Sequence, residues 1–182
     1  SVNMKYILQL IIFFSLTSLL SQKINVENIE ILRDTFGVPH IYAKTDAELA
    51  YGLAWAHSED DFKTIQEAYL AGNGLLSKHI GLRGAPADFL TQLIRSDHIV
   101  DSLYHTIDKN FLKVIEGYAK GINRFAELNP DQILVKKLFP ITTKKMIRYS
   151  FLQLFISSEG DDFIRTIVEN TTRKISFLDN NK

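Results

Sequence analysis

The sequence has 182 residues, 46% of them hydrophobic and 23% charged, which is ordinary for a globular protein and excludes a disordered chain. Lys plus Arg and Asp plus Glu both number 21, so no net charge attracts nucleic acid, and no nucleic-acid partner is predicted. Cysteine is absent, which excludes disulfides, thiolate zinc sites, a thiol nucleophile and a lipid anchor on cysteine within this sequence.

The beginning of the chain has the plan of a secretory signal peptide. Met4 is the expected start of translation, and a positive charge follows it before an apolar run over Tyr6–Leu20. The run is shorter than the roughly twenty apolar residues that a spanning helix needs, so cleavage near Ser21 is predicted. Residues 1–21 are assigned to the signal peptide and residues 22–182 to a periplasmic or secreted region that is free of the membrane. An uncleaved membrane anchor is the alternative.

A β-hairpin is predicted next. Val26–Arg33 alternates apolar and polar residues, and Val38–Ala43 is the returning strand. Asp34 and Gly37 supply turn chemistry between the two. Pro39 has no N–H to donate, which places it either on an edge strand or among the first residues of its strand. Because a lone hairpin is unstable in water, its strands are expected to join a sheet that another polypeptide segment completes.

About six helices are predicted after the hairpin, so the fold class is an α+β fragment that is mainly helical. Thr45 and Glu48 form a capping box before the first helix, and Asp108 opens a long helix with a broad apolar stripe. The predicted helical segments are Asp46–Leu70, Leu75–Ile80, Ala87–Tyr104, a helix from Asp108 that stops at Asn129, Thr143–Ile156 and Asp161–Lys174. A short segment, Asp131–Leu138, separates the fourth helix from the fifth. The stripe consists of Phe111, Leu112, Ile115, Tyr118, Ala119, Ile122 and Phe125.

Several motifs follow one another between Glu30 and Phe125. They read Arg33-Asp34-x-x-Gly37-Val38-Pro39-His40-Ile41-Tyr42-Ala43, Leu49-Ala50-Tyr51-Gly52, Ala56-His57-x-Glu59-Asp60, Gln66, and Tyr118-Ala119-x-Gly121-Ile122-Asn123. In this order they resemble the penicillin acylase family of N-terminal nucleophile hydrolases, which includes penicillin, cephalosporin and acyl-homoserine lactone acylases. One departure is Asp61, which stands where the family commonly has an Arg that forms an ion pair.

The resemblance implies a precursor, or zymogen, that is cut into a small helical α subunit and a large β subunit around an αββα core. The nucleophile would be a Ser at the new N-terminus of the β subunit, with its own α-amine as the base, since the pKa of such an amine is near neutrality. A downstream Asn and backbone N–H groups of the β subunit would hold the oxyanion.

This sequence is expected to be the α-subunit portion, because no Gly-Ser pair, the usual site of the cut, occurs in it. Ser1 directly precedes the leader and is not expected to be a nucleophile. The chain alone is therefore predicted to be inactive. Together with a β subunit it would hydrolyse an acyl amide, such as a penicillin, an acyl-homoserine lactone or a related N-acyl compound. A truncated inactive remnant and a membrane-anchored helical binding module are the alternatives.

The resemblance also implies site residues late in the chain. The helix at Thr143–Ile156 would contribute to the acyl-binding wall through Phe151 and Phe155, one helical turn apart, with Tyr149 and Leu152 as further candidates. Ordinary core packing of the same side chains is the alternative.

Some family members bind calcium between the subunits, and the sequence around Glu159 supplies oxygen ligands at about the right place. Glu159 is the predicted metal ligand, and the alternative is a solvated acidic helix start that includes Asp161 and Asp162. No organic cofactor is predicted.

The histidines are expected to be structural or exposed. His40 and His57 lie within the motifs and are predicted to bond to backbone or carboxylate groups. His98, Asp101 and His105 could share one helix face, and a surface patch is favoured there over a metal site.

Overall fold

The computed structural model describes residues 24–160, 162, 165 and 166. In this part of the chain a hairpin of two short strands is followed by helices. The strands are β1 (Glu30–Arg33) and β2 (Pro39–Tyr42), and the helices are α1 (Asp46–Gly72), α2 (Ser77–Ile80), α3 (Ala85–Leu93), α4 (Ser96–Leu103), α5 (Lys109–Leu128) and α6 (Thr143–Phe155). Short 3-10 turns cover Val26–Asn28, Gly81–Gly84, Tyr104–Thr106, Pro130–Gln132 and Lys136–Leu138, and a π-helical turn covers Ile156–Gly160. The predicted class, a mainly helical α+β fragment, is confirmed.

The hairpin is antiparallel, with Ile31 opposite Ile41 in the register. Its turn depends on Asp34, whose carboxylate accepts hydrogen bonds from the N–H groups of Phe36 and Val38 at 2.9 Å each. Gly37 completes the turn with a φ of 82°, which a residue with a side chain rarely adopts. The predicted turn is therefore confirmed.

The first strand is shorter than predicted, because Val26–Asn28 forms a 3-10 turn. The Asn25 side chain caps this turn, and the Asn28 amide donates to the Glu48 carboxylate at 2.9 Å. The backbone N–H of Asn25 donates to the same oxygen at 3.3 Å. The segment is therefore bonded to the start of α1 instead of extending the sheet.

These bonds to Glu48 give an expected pH dependence. They hold the pKa of the Glu48 carboxyl below its ordinary value, with Asn28 the largest cause, although the side chain is buried. A carboxyl with a lowered pKa in the folded state stabilises that state above its unfolded pKa of about 4.3, and the contribution is lost as the pH falls through the folded pKa. The melting temperature of Glu48→Gln should therefore fall less steeply than that of the unmodified protein between about pH 5 and 2. If thermal melts show that the melting temperatures of the two proteins fall equally with pH, Glu48 is not the cause of the pH dependence.

Helix α1 is kinked at Asp61, whose φ and ψ are −157° and 72°. The Asp61 carboxylate accepts from the N–H of Thr64 at 3.0 Å, so it acts as the N-cap of the second half of the helix. Asp61, which stands where the family commonly has an Arg, therefore caps a helix in this chain. The Asp46 start is confirmed, with Thr45 accepting from the Glu48 N–H at 3.3 Å.

The predicted helix Ala87–Tyr104 is wrong as one element, because it is two helices with a break at Arg95. Arg95 has a φ of 51°, in the left-handed region. Thr91 and Ser96, on either side of the break, are buried, and their hydroxyls donate hydrogen bonds to main-chain carbonyls. Thr91 donates to the Ala71 carbonyl at 2.9 Å, and Ser96 donates to the Thr91 carbonyl at 3.4 Å. The chain turns here to follow the end of α1.

Helices α1 and α5 form the centre of the fold. Ile122, Phe125 and Ala126 of α5 are buried, and the Phe125 ring packs edge-on against Phe62 at a centroid distance of 5.0 Å. The predicted N-cap Asp108 accepts from two backbone N–H groups of the first turn at 2.9 Å each. Phe111, at the start of the predicted stripe, is 57% exposed, because the contact with α1 begins further along the helix.

Candidate functional site

Helix α6 carries the predicted acyl-binding residues, and the segment before it sets its position. The short segment expected at Asp131–Leu138 contains two 3-10 turns. Thr142 accepts from the Lys145 N–H at 3.3 Å and caps α6. The Lys145 ammonium donates to the carbonyls of Leu138 and Pro140, at 2.5 and 2.9 Å, and burial lowers its pKa. The start of α6 therefore bonds back to the segment that leads into it.

Two amide side chains hold this segment against the helical core. Gln66, completely buried in α1, donates to the Gln132 carbonyl at 3.0 Å and accepts from the Leu134 N–H at 2.9 Å. Asn123 of α5 donates to the Ile141 carbonyl at 2.8 Å and accepts from its N–H at 2.7 Å. Each amide thus replaces the backbone partners that an irregular segment lacks. No role was predicted for either residue from the sequence. The signal that could have indicated one is a polar residue at a core position of an apolar helix.

Tyr149 and Leu152 of α6 face the helical core. The Tyr149 ring packs edge-on against Tyr69 at 5.5 Å, and its backbone lies so close to α1 that a Cβ on Gly72 would be 2.3 Å from the Tyr149 Cα. Leu152 is only 4% exposed. These two predicted residues anchor α6 within the described structure.

Phe151 and Phe155 are half-buried and lie one turn apart on α6. The Phe155 ring covers Gly160, where a Cβ would lie 2.6 Å from two ring carbons. The π-helical turn Ile156–Gly160 follows directly, and such turns are frequent at functional sites. Leu154 and Ile156 expose 68% and 46% of their surface, so this end of α6 exposes apolar side chains within the described part of the chain.

The predicted calcium ligand cannot be placed, because the Glu159 side chain and Asp161 lie outside the described residues. Asp162 forms an ion pair with Arg165. Across the residues that the structure describes, no group of three or more His, Asp or Glu side chains converges on one point. Asp101, considered with His98 and His105, instead pairs with Lys144 at 2.8 Å, and this bond is the largest cause of its lowered pKa.

The residues of the opening motif fasten the hairpin to α1. Arg33 pairs with Glu59 at 3.2 Å and with Asp60 at 2.8 Å. His40 lies 3.4 Å from the Asp34 carboxylate, as predicted. The expected partner of His57 was wrong: its Nδ1 lies 2.9 Å from the hydroxyl of Tyr118, which links α1 to α5.

The outer side of the hairpin is uncovered within the described part of the chain. It carries polar as well as apolar side chains, because exposed His40 lies opposite Leu32 and exposed Glu30 lies opposite Tyr42 in the register. Leu32, Val38 and Tyr42 are each about half exposed, at 50%, 52% and 56%, and Phe36 is 91% exposed. The opposite side is closed, since a Cβ on Gly52 of α1 would lie 2.8 Å from Ile41. In the described part of the chain the sheet has two strands.

Comparison with known proteins identifies the family. Residues 28–157 match the family described as Penicillin amidase. The chain belongs to the penicillin amidase family. It is 25% identical over 162 residues to penicillin G acylase of Escherichia coli. This match covers 85% of this chain and 19% of that protein. It is 26% identical over 132 residues to acyl-homoserine lactone acylase PvdQ of Pseudomonas syringae pv. syringae (strain B728a), covering 65% of this chain and 17% of that protein. The resemblance seen in the motifs is confirmed.

The fold agrees with a solved member of this family. A thermostable penicillin G acylase from Alcaligenes faecalis superposes with a TM-score of 0.58 at 20% sequence identity, covering 75% of this chain and 74% of that chain. The chain spans about a fifth of the length of the relatives named above. Among the residues that the structure describes, no helix is both long and apolar enough to cross a membrane.

Proposed function

We propose that this chain is the α-subunit portion of an exported amidohydrolase, which cleaves an acyl amide to an acid and an amine. The observation that carries the proposal is a hairpin whose outer side is uncovered in the described part of the chain. The chain belongs to the penicillin amidase family and spans about a fifth of its relatives' length. A β subunit would supply the strands that cover the hairpin. Residues 1–23, which include the predicted signal peptide, lie outside the described structure.

In the proposed reaction the β subunit performs the chemistry. The hydroxyl of its N-terminal Ser attacks the acyl carbonyl, and the α-amine takes the hydroxyl proton. Collapse of the oxyanion breaks the amide C–N bond, and the proton passes to the leaving amine. Water then attacks the acyl ester, which releases the acid and the free Ser. The role of the α chain is to shape the acyl pocket with Phe151 and Phe155.

On the basis of the family resemblance, we also propose a calcium ion that is held partly by Glu159. A carboxylate oxygen is a suitable ligand for calcium, and the ion would stabilise the contact between the subunits without taking part in the chemistry.

The test of the proposed function is to express the complete reading frame that contains this chain and to measure amide hydrolysis. Phenylacetyl amides and acyl-homoserine lactones of different chain lengths are suitable substrates. We expect a Gly-Ser-Asn junction after Lys182, cleavage there, and release of amine. A stop codon directly after Lys182 would support the inactive remnant, and a cooperatively folding monomer without hydrolysis would support the binding module.

The acyl-binding role of α6 gives a prediction about specificity. Phe151→Ala and Phe155→Ala should each change the ratio of kcat/KM values for long and short acyl groups by roughly tenfold, because a missing hydrophobic contact alters binding of the acyl chain by about 1–3 kcal/mol. Gln153→Ala on the exposed side of the same helix is the matched control. If all three variants keep the ratio of the unmodified enzyme, the two rings only pack in the core.

A further inference from the structure

The end of α1 meets the middle of α6 at a residue without a side chain, Gly72. A Cβ there would lie 2.3 Å from the Cα of Tyr149 and 2.8 Å from its backbone nitrogen. Gly72 is the last residue of α1 and its φ is not positive, so the conformational freedom of glycine does not explain its presence. What the position requires is the absence of a Cβ, which lets the two backbones touch.

Two neighbouring contacts tie α6 to the same end of α1. The Asn73 amide donates to the Lys145 carbonyl at 3.0 Å, and the Tyr69 ring packs edge-on against Tyr149. Lys145 and Tyr149 are one helical turn apart, so they belong to one face of α6. The distance between α1 and α6 is therefore set at this face.

The end of α1 is itself held from its other sides. Leu70 is completely buried, and the carbonyl of Ala71 accepts a hydrogen bond from the hydroxyl of Thr91 in α3 at 2.9 Å. A side chain at Gly72 is therefore expected to displace α6 rather than α1. Because carbon atoms in contact lie about 3.5–4.0 Å apart, α6 would move outwards by at least about 1 Å.

The predicted acyl-binding rings lie on the opposite side of α6. At about 100° per residue, Phe151 and Phe155 are about 200° and 240° around the helix from Tyr149. A movement of α6 away from α1 therefore carries both rings outwards, which under the proposed function, on which this step rests, is into the acyl pocket. We propose that the end of α1 sets the depth of the acyl pocket and that Gly72 is a positioning residue that determines the preferred acyl length.

Gly72→Ala in the complete enzyme tests the proposal. The ratio of kcat/KM for the dodecanoyl amide to that for the hexanoyl amide of the same amine should fall by roughly tenfold, because the advancing rings shorten the pocket. Gly117→Ala is the matched control, since its Cβ would meet the backbone of Ala47 at the other end of α1. The control should also lower the melting temperature but keep the ratio. An equal change of the ratio in both variants would overturn the proposal.

The outcomes separate this proposal from the proposed function. A ratio that responds to Phe151→Ala but not to Gly72→Ala overturns the proposal about Gly72 alone. An absence of amide hydrolysis in the unmodified enzyme overturns the proposed function and the acyl pocket with it. Crystal structures of the unmodified and Gly72→Ala enzymes give a readout without activity: the Cα of Phe151 should lie about 1 Å further from that of Leu70 in the variant. An unmoved α6 contradicts the proposal.

Asn73→Ala is the second variant, for the case that Gly72→Ala does not fold. It removes the bond to the Lys145 carbonyl without adding an atom to the contact between the helices, so that α6 is held less firmly. The same ratio of kcat/KM values should change by roughly twofold to tenfold. A ratio equal to that of the unmodified enzyme would overturn the positioning role of the end of α1.

Discussion

Gly121→Ala and Gly117→Ala are each expected to lower the melting temperature by roughly 4–8 °C or more. A Cβ on Gly121 would lie 2.5 Å from the carbonyl oxygen of Tyr51, and one on Gly117 would lie 2.1 Å from that of Ala47. Because these are backbone atoms of α1, no side-chain rotation relieves the overlap, and the two helices must separate.

The sign of this effect is not obvious from helix propensity. Alanine is favoured over glycine by about 1 kcal/mol inside a helix, and this gain opposes the steric cost. The steric cost is larger here because separating α1 and α5 loosens buried Ile122, Phe125 and Ala126. Thermal melts of the variants and of Lys113→Ala, at an exposed position of the same helix, make the comparison. Stabilisation by either glycine substitution would show that the two helices are less closely packed than the structure indicates.

Gln66→Leu is expected to destabilise the protein by about 2–4 kcal/mol although leucine is similar in size and more apolar. The substitution removes the partners of the Gln132 carbonyl and the Leu134 N–H, and neither group has a replacement in the described structure. The segment before α6 should then loosen, and under the proposed function the specificity for acyl groups should change as well.

A matched pair of variants separates the two bonds of Gln66. Gln66→Glu keeps an acceptor for the Leu134 N–H but cannot donate to the Gln132 carbonyl when ionised, and its buried charge should make it less stable at pH 8 than at pH 5. Chemical denaturation at both pH values measures this difference. A Gln66→Leu protein as stable as the unmodified one would mean that the segment is held by other contacts.

Gln66 and Asn123, which both belong to the motifs, have a structural role in this chain. Both side chains lie on buried helix positions and bond to main-chain groups far away in sequence, at Gln132, Leu134 and Ile141. Hydrophobic periodicity marks such positions as core but cannot name a partner about twenty to seventy residues away. The motif predicted the family, while the structure shows that these two residues position α6.

Turns and helix caps were predicted correctly where their hydrogen bonds join residues that are close together in the sequence. The turn at Asp34, the cap at Thr45 and the cap at Asp108 all depend on bonds between neighbours in the chain, and all are present. The break at Arg95 was not predicted, since a left-handed residue that is not glycine leaves no local signal. The coil of Val26–Asn28 also depends on a distant residue, Glu48.

By itself the sequence determined the family, the mainly helical class, the hairpin and its turn, and the caps of the long helices, because these depend on motifs and near-neighbour bonds. Only the tertiary structure decided how α6 is held, that Tyr149 and Leu152 anchor it in the core, and that Gly72 lets the backbones of α1 and α6 touch. These features arise from contacts between residues that are far apart along the chain, and the pattern of any single segment does not contain them. The opening hairpin illustrates both cases. Its turn follows from its own residues, whereas the tertiary structure decides which of its faces is exposed, because α1 covers the other one.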